Sequence, residues 1–170
     1  QPDGPWSSTP SPDMVQGRHN ITATATDLAG NVSNPTPVFG FTIDTVAPNT
    51  PTIDTAVDDV GSKQGLLPNG GVTDDPSPTL AGKAEPGSTV TVYDGAIKLG
   101  TVVADSSGNW NCTPTSPLAE GEHKFTVTAT DKAGNVSAPS SEFVLSTDYT
   151  APSASDAVLT DDAGAIQGPI

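Results

Sequence analysis

Apolar and polar residues alternate along residues 124–130, where Phe125, Val127 and Ala129 are interleaved with Thr126, Thr128 and Thr130. A period of two marks a strand with one buried face. Val90 and Val92, set among Thr89, Thr91 and Tyr93, repeat the pattern at 89–93. Further short strand-like runs lie at 51–56, 79–84, 97–104, 109–113 and 142–146. Turn chemistry separates them: Glu85-Pro86-Gly87, the hairpin pair Asp94-Gly95, and Asp105-Ser106-Ser107-Gly108. The segment 57–77 is rich in Gly and Asp and reads as a long loop. No stretch has helical periodicity. Seven short strands at this spacing predict an immunoglobulin-like β-sandwich.

The pattern also returns along the chain. Ala25-Thr26-Asp27-Leu28-Ala29-Gly30-Asn31-Val32-Ser33 is matched by Ala129-Thr130-Asp131-Lys132-Ala133-Gly134-Asn135-Val136-Ser137, an offset of 104 residues. Asp44-Thr45-Val46-Ala47-Pro48 is matched by Asp148-Tyr149-Thr150-Ala151-Pro152 at the same offset. Asp58-Asp59 is answered by Asp161-Asp162 at an offset of 103. Self-similarity at a fixed period signals tandem units. The expected layout is the C-terminal part of one unit at 1–47, a complete unit at 48–149, and the start of a third at 150–170. In the first piece Trp6, Gly17, His19 and the run from Ile21 to Thr26 match Trp110, Gly121, His123 and the run from Phe125 to Thr130. Its three expected strands could not close a sandwich alone and would carry unpaired edges. Pro48 and Pro51 stiffen the join between the first two units.

Charge narrows the functional classes. The chain carries 20 acidic and 6 basic residues, a net charge of −14. Such a surface argues against nucleic acid, whose phosphates require Lys and Arg. Sixteen of the acids are Asp, which favours turns and loop ligands over solvated helices. No apolar run reaches the ~18 residues of a spanning helix, so no membrane insertion by this segment is expected. Cys112 is the only cysteine, and its counterpart is Ser8, so no disulfide reinforces the repeat.

In a seven-stranded sandwich these aspartates fall at two poles. Asp58, Asp59, Asp74 and Asp75 lie in the 57–77 segment and Asp148 ends the last strand; all five are expected at the C-terminal pole. Asp44 in the linker, Glu85 in the turn after 79–84, and Asp131 in the turn after 124–130 are expected at the N-terminal pole. Asp27 is the earlier copy of Asp131; Asp161 and Asp162 are the later copies of Asp58 and Asp59. Clustered carboxylates repel unless a cation neutralises them, and Ca²⁺ accepts six to eight oxygens in irregular loop geometry. Plain Asx turns are the competing explanation, and Asp94 and Asp105 are assigned to turns on that ground. There is no Asp-x-Asp-x-Asp-Gly loop of the EF-hand kind.

Other residue types are read structurally. The repeated histidines, His19 and His123, stand where a strand begins and lack the companions of a zinc site. Trp6 and Trp110 are expected as core anchors, and Cys112 faces the same way as Trp110. No nucleophile, acid and base constellation is present, and no phosphate-cradling loop, so an enzyme is not expected.

The blocks Ala47-Pro48-Asn49-Thr50-Pro51, Asp58-Asp59-Val60-Gly61, Gly70-Gly71-Val72-Thr73-Asp74-Asp75, Pro78-Thr79-Leu80, Glu85-Pro86-Gly87 and Ala129-Thr130-Asp131-Lys132-Ala133-Gly134-Asn135 occur in order. This succession resembles the bacterial Ig-like repeat of giant surface adhesins secreted by type I systems, the giant non-fimbrial adhesin of Salmonella among them. The resemblance covers essentially the full length. It implies a rod of Ig-like units on the bacterial cell surface or secreted from it. It further implies Ca²⁺ at the junctions, held by Asp44, Asp58, Asp59, Asp74, Asp75, Asp131 and Asp148, with neighbouring repeats as partners. Attachment to a host cell or abiotic surface would fall to another part of the parent protein. Cys112 and the altered second junction, Asp148-Tyr149-Thr150, depart from the family pattern. The alternatives are a glycan-binding Ig-like module, which predicts a solvent-facing Trp110, and an accessory spacer of a secreted polysaccharide-degrading enzyme.

Overall fold

A computed structural model describes residues 6–153. Eleven strands appear in order: β1 (Gly17–Ile21), β2 (Phe39–Ile43), β3 (Thr52–Asp58), β4 (Gly65–Leu67), β5 (Gly71–Thr73), β6 (Thr79–Lys83), β7 (Thr89–Asp94), β8 (Ile97–Val103), β9 (Asn109–Cys112), β10 (Gly121–Thr130) and β11 (Phe143–Thr147). No helix occurs among the described residues.

Strands β3–β11 form the sandwich. One sheet has the order β5-β11-β10-β7-β8 and the other β4-β3-β6-β9. Strand β10 is the spine of the first. Its start, Gly121 to Phe125, pairs with β11, and its end, Phe125 to Thr130, pairs with β7. The alternation read from the sequence sets its inward face, with Phe125, Val127 and Ala129 fully buried. Val90, Val92, Phe143 and Leu145 join them from the same sheet, and Ala56, Leu80 and Trp110 meet them from the other. Full burial of each large apolar side chain contributes about 1.5–3 kcal/mol. Gly82 lets β3 pass close by, since a Cβ there would lie 2.0 Å from the Thr52 carbonyl oxygen.

Two expectations need correction. The 57–77 segment is not wholly loop. β4 folds back antiparallel on β3, and β5 then crosses to the other sheet and pairs in parallel with β11. All seven expected strands are present, as β3 and β6–β11, and β4 and β5 add two short ones to the sandwich. Residues 6–43 form two strands rather than three, with β1 antiparallel to β2. At the 104-residue offset these two match the β10–β11 ladder residue for residue. Beyond Ile21 the ladder stops; the counterpart segment of β10 pairs with β7, and no equivalent strand stands beside Ala23 to Thr26 among the described residues.

The strand directions fix the poles. Thr52 faces Lys83 and Thr130 faces Thr89, so the linker, the 84–88 turn and the 131–135 turn share one end. Gly121 faces Thr147 at the other end, beside the loop after β3.

Candidate functional site

Asp44, Glu85 and Asp131 line one cavity of about 410 Å³ at the N-terminal pole. Thr42, Pro86, Gly87, Ser88 and Ala133 complete its wall, and Lys132 is its basic residue. At the C-terminal pole Asp58, Asp74 and Asp148 line a second cavity of about 330 Å³, with Ser62, Thr73 and Lys63. The topology thus gathers three carboxylates at each end from segments far apart in the chain. Asp59 is exposed and lines neither cavity. Asp75 is buried and does not line the C-terminal cavity. Asp27 stands apart in the first copy's exposed turn, and Asp161 and Asp162 lie outside the described residues.

Asp131 illustrates what local sequence does to a carboxylate. Its Oδ1 accepts the backbone N–H groups of Ala133 (2.8 Å) and Asn135 (2.9 Å), and its Oδ2 accepts the Asn135 side-chain amide at 2.8 Å. The Asn135 amide and the backbone donors of the turn together hold the Asp131 carboxyl below the usual carboxylate range, outweighing the opposing effect of desolvation. Gly134 has φ +94°, which closes the turn without steric cost. The same geometry recurs at Asp27 with Ala29 and Asn31, and at Asp105 with Ser107 and Asn109. The three turns share the sequence Asp-x-x-Gly-Asn. Asp105 is therefore a turn residue as expected, and Asp27 and Asp131 are built in the same way. With Oδ1 of Asp131 doubly occupied, Oδ2 is the oxygen with a lone pair still to offer.

The C-terminal carboxylates are differently placed. Asp58 is buried; its Oδ2 accepts the Thr73 hydroxyl at 2.6 Å and its Oδ1 the Val60 N–H at 3.1 Å. Thr73 also anchors its neighbours, accepting the Asp75 N–H at its hydroxyl and the Asp148 N–H at its carbonyl. The Asp74 carboxylate lies over Gly61, where a Cβ would stand. Asp75 Oδ1 accepts the Ser77 N–H, whereas its buried Oδ2 makes no hydrogen bond. The donors around both cavities are carboxylates, hydroxyls and carbonyls, hard oxygen ligands of the kind Ca²⁺ takes. Their spacing is open: among the described residues no three His, Cys, Asp or Glu side chains stand close enough to hold one metal ion.

The repeated histidine is structural, and it reveals a partner that sequence reading missed. His123 is buried, stacks on Phe125, and directs Nδ1 to Asp94 Oδ2 at 2.7 Å and Nε2 to the Ala119 carbonyl at 2.8 Å. Asp94 is thus more than a turn former: its Oδ1 also accepts the Lys124 N–H at 3.1 Å. Trp110 is a core residue with 3% exposure. Cys112 is part-buried against the core, and burial pushes its thiol pKa up.

Comparison with known proteins adds the family. No curated protein matches the chain. Among solved structures it is similar to Clostridium thermocellum CbhA fibronectin(III)-like modules, with 17% identity, 79% of this chain and 64% of that chain covered, and a TM-score of 0.43. It is also similar to a biofilm associated protein BSP domain, with 24% identity, 79% and 26% coverage, and a TM-score of 0.37. The chain thus spans less than two thirds of either structure, and likenesses of this level carry no functional argument. The bacterial Ig-like domain model, by contrast, matches residues 1–45 and 48–148, and the chain belongs to that family.

Proposed function

We propose that the chain is a non-catalytic stalk segment of a bacterial cell-surface or secreted adhesin, built from Ig-like units in tandem and stiffened by Ca²⁺ at its junctions. The observation that carries this reading is the gathering of three carboxylates around one cavity at each pole, one of each trio coming from a linker. Neither trio stands close enough to hold an ion as it is placed, so Asp44, Glu85 and Asp131 would draw together around one at the N-terminal pole, and Asp58, Asp74 and Asp148 at the C-terminal pole. Bound there, Ca²⁺ would neutralise mutually repelling carboxylates and cross-link segments that the chain itself joins only through a short linker. Pro48 and Pro51, both buried, already limit the freedom of that linker. The burial of Trp110 counts against the glycan-stacking alternative, which needs that ring exposed.

Thermal unfolding of the full chain with and without millimolar Ca²⁺ tests the proposal. An ion that binds only the folded state, at about 100 times its Kd, adds about 2.7 kcal/mol. The expected result is a Ca²⁺-dependent rise in Tm that Asp44→Asn and Asp74→Ala each reduce. Asp131→Ala is a poorer probe, because it also dismantles a turn. An identical Tm with Ca²⁺ and with chelator would return the aspartates to ordinary turn and capping duties.

A further inference from the structure

The linker between the two units is gripped from both sides by hydrogen bonds that involve no metal. From the first copy, Gln16 Oε1 accepts the Thr45 hydroxyl at 2.8 Å and the Thr45 N–H at 3.4 Å. From the complete unit, the Asn135 side-chain amide donates to the Asp44 carbonyl at 3.1 Å. The two grips fall on adjacent linker residues. Asp44 Oδ1 meanwhile accepts the Val46 N–H at 3.1 Å, fixing the bend between them.

The Asn135 grip follows from the economy of the Asp-x-x-Gly-Asn turn. A primary amide has two N–H donors. One is spent inside the turn, on Asp131 Oδ2; the other points out, toward the linker. The turn holds the amide rigidly, so the outward donor is placed in advance, and little side-chain entropy remains to be lost when an acceptor arrives. In the first copy Asn31 makes the same internal bond to Asp27 Oδ2 and sits in an exposed turn. On the exit side the other grip is repeated as well: Glu120, the counterpart of Gln16, accepts the N–H of Tyr149, the counterpart of Thr45, at 3.1 Å.

We propose that the asparagine of the Asp-x-x-Gly-Asn turn after the long strand is a recognition site for the linker backbone of the adjoining Ig-like unit. Its outward amide hydrogen takes the carbonyl of the linker aspartate and fixes the junction without any cation. The partner of Asn31 is the linker carbonyl that enters the first unit. The partner of the exposed Asp148 carbonyl is the equivalent asparagine of a following unit. The inference rests on the tandem reading above but not on Ca²⁺, and it predicts that part of the junction's order survives chelation.

The test is residual dipolar couplings measured on the whole chain in excess EDTA, comparing amides of the β1–β2 ladder with those of the sandwich. In the wild type both ladders should report one alignment frame. Asn135→Ala should lower the couplings of β1–β2 by about two-fold or more relative to the sandwich, because a small interface leaves units free to move. Asn109→Ala, which breaks the same kind of turn at a position with no hydrogen bond to Asp44, should leave the ratio unchanged. A glycine inserted between Thr45 and Val46 displaces the linker while sparing the Asp131 turn, and should reproduce the Asn135→Ala loss. The proposal is overturned if Asn135→Ala leaves the ratio at its wild-type value, if Asn109→Ala lowers it equally, or if the wild-type ladders already reorient independently in EDTA. A Ca²⁺-dependent Tm with no effect of Asn135→Ala would sink this latch and leave the metal reading standing.

Discussion

The β1–β2 ladder and the β10–β11 ladder are nearly the same object in different surroundings. Gly17 faces Ile43 as Gly121 faces Thr147, and Ile21 faces Phe39 as Phe125 faces Phe143. The connecting segments match equally well. Hydroxyls of Thr36 and Ser33 accept the N–H groups of Ala23 and Ala25, just as those of Ser140 and Ser137 serve Val127 and Ala129. Burial is where they part. Phe125 and Phe143 are 0% and 3% exposed, whereas Ile21 and Phe39 are 42% and 64% exposed. Trp6 is open where Trp110 is enclosed. The pairing, the turn and the hydroxyl caps are therefore written into about thirty local residues, while the core depends on an opposing sheet, as sandwiches require.

Truncating the same position in each ladder should give the largest contrast. Phe125→Ala removes a ring with no exposed surface at the centre of the core and should cost about 3–5 kcal/mol. Ile21→Ala, its counterpart, should change the unfolding of the complete unit by less than about 0.5 kcal/mol, as surface substitutions usually do. Urea unfolding of the whole chain measures both. A comparable loss from Ile21→Ala would mean that the first ladder buries its face in solution.

How much of this was legible in the sequence depends on how local each feature is. The alternation of Phe125, Val127 and Ala129 announces both strand and core face, because a period of two leaves no other face for them. The Asp-x-x-Gly-Asn spacing is visible three times, and glycine at its fourth position points to a left-handed residue. Strands β4 and β5 were not legible: three residues such as Gly71-Val72-Thr73 show no period, and their pairing is decided by β11, far along the chain. Asp94 gave half a signal. Its place before Gly95 marks a hairpin, but its role toward His123 depends on register between β7 and β10. The polar gathering of Asp44, Glu85 and Asp131 could be read from strand directions alone. The exclusion of Asp59 and Asp75 could not, since each turns on the path of an irregular loop.

A smaller effect should separate the two copies at the Asp turns. Asp131, Asp27 and Asp105 all have lowered pKa values, caused first by the asparagine side-chain amide. A depressed carboxylate contributes stability that is present in full above the unfolded pKa of about 3.9 and is lost as pH falls through the folded value. Asp131→Ala should lower the Tm of the complete unit at pH 7, several-fold less than Phe125→Ala does. The gap between wild type and variant should then close on acidification below about pH 4. Asp27→Ala should leave that transition almost unmoved, its turn being attached to a ladder outside the sandwich. A gap that persists unchanged at low pH would show that Asp131 acts through something other than its ionised carboxylate.

The smallest expected effect lies at the histidines, and its sign is opposite. Burial pulls the His123 pKa down, but the Asp94 carboxylate and the Ala119 carbonyl together overcome it and leave the value raised. Both ring nitrogens face acceptors, so the geometry suits the doubly protonated ring; on losing its Nε2 proton the ring gives up its bond to the Ala119 carbonyl, which keeps the Thr147 hydroxyl as a donor. A raised folded pKa stabilises fully below the unfolded value of about 6.5, and that contribution is lost as pH rises through the folded value. Denaturant midpoints of the wild type and His123→Gln, measured from pH 5.5 to pH 9, should therefore converge toward the alkaline end. His19 shows only part of this arrangement among the described residues: its Nε2 meets the Val15 carbonyl at 2.6 Å. If the His123→Gln gap is flat across that range, His123 serves as a neutral packing residue, and Asp94 holds the Lys124 backbone rather than an imidazolium.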